Sequence, residues 1–428
     1  MSEYAEAHRF QPHYYPDDTA QFWERRVLRR NEYSYKNLTG SFLGDLPARV
    51  DSVLSWDGSA LKPTDYVFQL DETHLQEIKH ACAEFMESGQ KLCEISPKTF
   101  SIPLLAEALA ERRPTLHAGV GMLLLRGLDP ASFSRRENIC VFAGLASHLC
   151  EEFGRQSGGK VLNVLHGMDL LTMIAHIKDL ASIDKRNGLN GCAAPYCNVA
   201  LPLHTDSGDV VAMYTLETTA TGGYGTFASV GSIYNQLARD DPELLAVLFK
   251  NGWPMDRHVM SLSPIEWFCS LLITCYSPPD KKGLDGNGLY YRRPVMFMHK
   301  GAPEMAFSRG ALIRSPRGTR SLEIPNITML QNDALDAVHY AAHQSLHRID
   351  YETGDMLFFN NRKIIHGRDE FHDGKGKTRH MLRLWLKDES MAGSPPHPAL
   401  QLQWGNIFRA GLSDTPEDSE WPMEPDRL

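Results

Sequence analysis

Between Asp71 and Ala110 the apolar positions recur at three- and four-residue spacing. Leu75, Ile78, Cys82 and Phe85 fall on one side of that run, which predicts a helix with one buried face. Asp71 or Thr73 is placed to cap its start. Gly119–Gly127 (GVGMLLLRG) reads as a buried strand closed by a glycine turn, and Glu137–Glu152 as a second helix. Beyond Ala200 the apolar runs become short and alternate with Gly, Pro and Asn. They are Val210–Leu216, Gly225–Val230, Leu289–His299, Leu346–Tyr351, Met356–Asn360, Ile364–His366 and Arg379–Leu386. Helical patterns interrupt them at Pro242–Phe249 and Asn332–His343. Many short strands with helical insertions predict a mainly β chain with helices (α+β), a sandwich or barrel with helices packed outside.

No internal repeat and no low-complexity linker divides the chain. The reading is one large domain over 113–390, preceded by an accessory region over 1–112. Residues 391–428, with SPPHPA and TPEDSEWPMEPDRL, read as an irregular tail.

Composition narrows the function classes. Of 428 residues, 42% are hydrophobic and 23% charged, an ordinary globular mixture that excludes a disordered, collagen-like or coiled-coil chain. Lys plus Arg number 44 against 53 Asp plus Glu, for a net charge of −9. An acidic surface lacks the basic footprint that nucleic-acid binding requires, so no nucleic-acid partner is expected. The most apolar stretch, Trp267–Cys275, is too short to span a bilayer, so no membrane association is expected. The polar, acidic start shows no signal-peptide pattern, and the C-terminal residues carry no peroxisomal or retention signal, which leads to a cytoplasmic expectation. None of the 8 cysteines forms a C-x-x-C pair. Reduced, mostly buried thiols are therefore expected rather than a zinc site. Gly154–Lys160 fits the spacing of a phosphate loop, but Val161 stands where Ser or Thr must hold magnesium, so nucleotide binding is not expected.

Three segments carry candidate chemistry. In Leu201-Pro-Leu-His204-Thr-Asp206, residues two apart on an extended chain point to the same side, so an imidazole and a carboxylate can converge on one ion. A histidine hydrogen-bonded to a nearby acid in a turn is the competing reading. Gly354–Phe371 runs through an Asn360-Asn361 turn into a short strand bearing His366, with His372 and His380 as competitors. A second imidazole would complete a set of two histidines and one carboxylate, which holds one face of Fe(II) and leaves positions open. In Thr378–Leu386, alternation puts Arg379, Met381 and Arg383 on one face and His380, Leu382 and Leu384 on the other. Facing solvent these arginines are ordinary; facing a cavity they suit carboxylate ligands through paired hydrogen bonds.

Together, H-T-D, then G-D-x-x-x-x-N-N-R-x-x-x-H-G-R-x-x-F, then R-H-x-L-R-L-W-L resemble the Fe(II)/2-oxoglutarate dioxygenases of the taurine dioxygenase and clavaminate synthase-like superfamily, over Gly119–Asp388. The resemblance implies a double-stranded β-helix (jelly roll) core with an N-terminal helical elaboration. It implies His204, Asp206 and His366 as the iron ligands and catalytic centre, with Arg379 on the distal carboxylate of 2-oxoglutarate. Thr226, in Gly222-Gly-Tyr-Gly-Thr, is implied on the same carboxylate, although Tyr224-Gly225 occupies a spacing that is often one residue shorter. Arg383 is implied on an acid group of the substrate.

The implied cofactors are Fe(II), 2-oxoglutarate and O2. The implied reaction couples loss of carbon dioxide from 2-oxoglutarate to oxidation of a C–H bond in a small anionic, amino-acid-like substrate. Hydroxylation is the default outcome, with desaturation or ring closure open. Because Asp206 is present, halogenation is not expected. A zinc hydrolase on the same three ligands is an alternative that Arg379 argues against. A non-catalytic jelly-roll binding protein is another, which the intact triad argues against. The oligomeric state is left open, a homodimer included.

Overall fold

The computed structural model describes residues 16, 19–32, 46–157, 171–180, 194–256, 290–314, 320–408 and 421–424. In the first part of the chain, helix α1 (Thr19–Glu32) is followed by strand β1 (Val67–Gln69) and helices α2 (Glu72–Glu87) and α3 (Pro103–Ala118). Strand β2 (Met122–Arg126), helix α4 (Arg135–Ser147) and strands β3 (Glu152–Gly154) and β4 (Ile174–Lys178) come next. The second part contains β5 (Leu201–His204), β6 (Val210–Glu217), β7 (Gly225–Ser229), α5 (Val230–Asp240) and α6 (Pro242–Phe249). It continues with α7 (Met329–Gln344), β8 (His347–Ile349), β9 (Met356–Asn360), β10 (Ile364–Arg368), β11 (His380–Lys387) and α8 (Pro398–Ile407).

Two sheets face one another. The larger runs β1-β2-β9-β6-β11, with the far edge of β11 shared by β4 and β3. The smaller runs β8-β7-β10-β5. Period-two alternation sorts the apolar residues into layers. Met122, Leu124, Val211, Leu357 and Phe359 of the larger sheet meet Phe227, Ile349 and Ile364 of the smaller in the space between them. Their neighbours Leu123, Leu125, Ala212, Phe358, Leu382 and Leu384 point outward and are buried under α2, α3 and α4. On the other side, Leu203, Ala228 and Ile365 of the smaller sheet are buried under α5, α6 and α7. This is the sandwich with helices packed outside that the strand pattern predicts, and the α+β jelly roll that the resemblance implies.

Local chemistry accounts for the helix ends. Asp71 caps α2 by accepting the His74 N–H at 2.9 Å. Ser134 and Glu137 form a reciprocal capping box, so α4 starts at Arg135, and it ends at Ser147, short of Glu152. Thr328 and Gln331 do the same for α7, which begins at Met329.

Three features differ from the sequence pattern. Leu289–His299 is two strands, Tyr290–Arg293 and Met296–His299, because Pro294 between them cannot donate to a ladder. The segment read as an irregular tail contains α8, whose Trp404 and Ile407 are buried with Phe408. Its proline-rich approach misleads, since Pro398 sits in the first turn, where a missing N–H costs nothing. The division at residue 112 falls inside α3, and β1 pairs in parallel with β2, so the N-terminal segment supplies an edge strand of the larger sheet.

Cys82, Cys140, Cys150 and Cys197 are buried and Cys93 half-buried, all as free thiols. Cys192 and Trp267–Cys275 lie outside the described residues, as does the end of the Gly154–Lys160 stretch beyond Ser157. Among the described residues no helix is long and apolar enough to cross a membrane.

Candidate metal centre

Antiparallel pairing of β5 and β10 sets His366 directly opposite His204, with a register shift just beyond, between His366 and Arg368. Their ring centroids are 4.3 Å apart. Asp206 follows two residues after β5, in a loop held from both sides. Asn361 accepts the Asp206 N–H at 2.8 Å and donates to the carbonyls of Asp206 and Gly208, each at 2.9 Å. Thr205 donates its N–H to the Phe307 carbonyl and accepts the Phe307 N–H on its hydroxyl, both at 2.8 Å.

The three side chains converge. His204 Nε2 lies 3.8 Å from Asp206 Oδ1, and His366 Nε2 lies 3.7 Å from Asp206 Oδ2. All three ligand atoms fall within 4.8 Å of one another. These gaps are too long for hydrogen bonds. They are short enough for one cation with bonds of about 2 Å to draw the set together. Side-chain exposures of 11%, 10% and 12% for His204, Asp206 and His366 leave the group largely buried but still reached by solvent.

Protonation suits a metal. His204 Nδ1 lies 2.9 Å from the Pro202 carbonyl, which can only accept, so Nδ1 carries the proton and Nε2 offers its lone pair. Burial, reinforced by His366, lowers the His204 pKa to about 4, so the ring is neutral. Burial alone would raise Asp206, but the Arg383 guanidinium and the two imidazoles outweigh it and hold the carboxyl well below its usual range.

Alternation along β11 resolves the arginines. Leu382, Leu384 and Leu386 point into the outer layer, and His380 turns the same way to meet His176 at 2.8 Å. Arg379, just ahead of the strand, and Arg383 take the opposite face. Arg379 is only 5% exposed. Its Nη2 donates to Met381 Sδ at 2.7 Å, its guanidinium lies 5.3 Å from the Phe371 ring centre, and its Nη1 is buried with no hydrogen-bond partner. Burial lowers its pKa to about 10, so it remains charged. A buried cation with an open donor is costly until an anion arrives. Arg383 is already engaged, donating through Nη1 to Asp206 Oδ2 and through Nε to Gln156 Oε1, both at 2.9 Å.

One expected residue falls elsewhere. Phe227 pairs with His366, whereas Thr226 pairs with Gly367 on the opposite face of β7. Thr226 is buried, but it shares its side with Ala228 and Ile365, beneath the outer helices. The extra residue in Tyr224-Gly225 shifts strand parity by one, which exchanges the two faces. His372 is exposed beside Glu370 at 3.3 Å, and His380 faces away, so neither competes for the ion. Asn361 and Gln156 were not singled out for these roles from sequence. The Asn-Asn turn signalled a turn only, and a polar residue in a short strand carries no visible partner.

The facing sheets and the His–Asp–His cleft define a jelly-roll enzyme of the non-haem metal type. The profile of the taurine catabolism dioxygenase TauD, TfdA family matches residues 88–385, and the chain belongs to that family. It is an Fe(II)/2-oxoglutarate-dependent dioxygenase. The taurine hydroxylase-like protein SAT17 of Stachybotrys chartarum is 28% identical over 387 residues, covering 89% of this chain and 90% of its own. The FR-33289 synthase of Streptomyces rubellomurinus is 23% identical over 332 residues, covering 76% and 86%. The fold is similar to that of an asparagine oxygenase solved with Fe(II), 3-hydroxyasparagine and succinate, with a TM-score of 0.52 at 14% identity, over 75% of this chain and 93% of that one. The non-haem iron oxygenase OrfP, solved with iron, succinate and 3-hydroxyarginine, aligns with a TM-score of 0.50 at 13% identity, over the same shares.

Proposed function

We propose that the chain oxidises a C–H bond of a small anionic, amino-acid-like molecule, with His204, Asp206 and His366 holding the iron and Arg379 binding the distal carboxylate of 2-oxoglutarate. The observation that carries this reading is a compact His–Asp–His set, with a buried Arg379 guanidinium that has an unpartnered Nη1 on the same strand face as Arg383, which bonds Asp206. A bound iron(II) would let O2 act as the oxidant, one oxygen atom leaving in succinate as 2-oxoglutarate loses carbon dioxide and the other entering the substrate's C–H bond. The protein's own groups bind and orient. Neutral His204 presents Nε2, the Asn361 bonds fix the loop that aims Asp206, and Arg379 sets which way the 2-oxo acid lies.

Arg383 supports the anionic character of the substrate, because its guanidinium reaches the same cleft from the same strand face. An amino-acid-like substrate is in keeping with the two solved oxygenases, each in complex with a hydroxylated amino acid. Hydroxylation is the proposed outcome. Free thiols at all five described cysteines fit a reducing, cytoplasmic setting.

Anaerobic titration with Fe(II) and then 2-oxoglutarate tests the reading. A visible metal-to-ligand charge-transfer band is expected; its absence from folded, iron-loaded protein would sink it. Succinate release on admitting oxygen, enhanced by individual free amino acids, then searches for the substrate.

A further inference from the structure

Thr226 lies on the opposite face of β7 from Phe227 and so does not offer its hydroxyl beside Arg379. The segment Gly223-Tyr224-Gly225 runs past two groups. A Cβ on Gly223 would lie 3.5 Å from Arg379 Nε, and one on Gly225 would lie 2.6 Å from the hydroxyl of Tyr351. A contact of 2.6 Å is shorter than real Cβ atoms show, so the phenol occupies room that only a glycine leaves. Tyr351 follows β8, whose Ile349 pairs with Gly225. Its ring packs on the cluster containing Met381, and Met381 Sδ accepts from Arg379. One apolar cluster thus links the surroundings of the tyrosine to the methionine that Arg379 bonds. The Tyr351 hydroxyl makes no hydrogen bond among the described residues. Burial raises its pKa, against a smaller opposing effect of Arg379, so it carries its proton and is a donor.

We infer that Tyr351 is a 2-oxoglutarate-binding residue, its hydroxyl donating a second hydrogen bond to the distal carboxylate held by Arg379, in the space that Gly225 leaves open. This rests on the Arg379 assignment proposed above. Guanidinium and phenol are complementary here, the first supplying charge and the second a neutral donor from another strand.

The test is anaerobic titration of the Fe(II)-loaded full chain, read by the charge-transfer band, with two probes. 2-Oxoglutarate carries the distal carboxylate and pyruvate lacks it. A hydrogen bond to a charged group is worth enough that Tyr351→Phe should weaken 2-oxoglutarate about tenfold. Pyruvate binding should change less than about twofold, since it makes no distal contact. Gly225→Ala, which displaces the phenol, should weaken 2-oxoglutarate in the wild type and add little in the Tyr351→Phe background. Unchanged 2-oxoglutarate affinity in Tyr351→Phe, or equal weakening of both probes, would overturn the inference. A missing band in the wild type would instead overturn the metal-site reading, and the inference with it.

Discussion

Arg383 Nη1 donates to Asp206 Oδ2 at 2.9 Å, so the strand that offers an anion-binding arginine also grips the carboxylate of the candidate metal set. Arg383→Met should therefore do two things. Loss of a partner that orients a metal ligand costs roughly 10- to 100-fold in metal affinity. If the guanidinium also meets substrate, KM for substrate should rise much more than KM for 2-oxoglutarate. Fe(II) titration and steady-state kinetics separate the two effects. An unchanged metal affinity would show that the ion pair is incidental.

Asn361 makes three hydrogen bonds to the Asp206–Gly208 loop. Asn361→Asp keeps an acceptor for the Asp206 N–H but cannot donate to the two carbonyls, and it buries a charge beside the ion site. Leaving buried partners unsatisfied costs about 1–3 kcal/mol. Weaker Fe(II) binding and a lower thermal midpoint are expected. Wild-type values for both would exclude a clamping role.

Phe358 is fully buried between the larger sheet and the helices over it. Phe358→Ala should destabilise the protein by about 3–5 kcal/mol through lost contacts and a residual cavity. A shift in the urea midpoint measures this, and a loss below about 1 kcal/mol would mean that the outer layer collapses around the gap.

His380 and His176 form a buried pair behind the arginine face. His176 Nε2 lies 2.6 Å from the Pro422 carbonyl, so it carries the proton, and Nδ1 at 2.8 Å accepts from His380 Nε2. Burial, then His176, Lys178, Arg135 and Arg379, lowers the His380 pKa to about 3 from its ordinary 6.5. The unfolded chain then binds the extra proton first as pH falls. The stability contributed by neutral His380 is full above about pH 6.5 and is lost progressively toward pH 3. His380→Gln, which keeps a donor for His176, should flatten that acid limb in denaturation series run across this range. An unchanged slope would count against His380 as its source.

The sequence made much of the architecture legible, because layers built on period-two strands leave a direct apolar signature. The convergence of the three candidate ligands was legible for a different reason. His204 and Asp206 sit two apart in an extended segment, and His366 follows a turn marked by consecutive asparagines. Thr226 turns away from the side of β7 that carries Phe227, and the longer spacing across Tyr224-Gly225 was its one sign in the sequence, legible as a parity change only once the register with His366 is known. Tyr351 carried no signal, since its relation to Arg379 exists only once β7, β8 and β11 are assembled. Helix α8 was hidden by prolines that break helices in their interiors but start them at their ends.

The pairing of β5 with β10 has a consequence for how the molecule reaches its native state. His204 and His366 are far apart along the chain, so this contact closes a long loop and belongs to the slow, non-local part of folding. A bound ion would tie the two strands at that point and favour the folded state by mass action. Amide hydrogens of Leu203–His204 and Ile365–Gly367 should then exchange more slowly with iron present. The ion that equips the cleft for chemistry would also act as a latch on strand register.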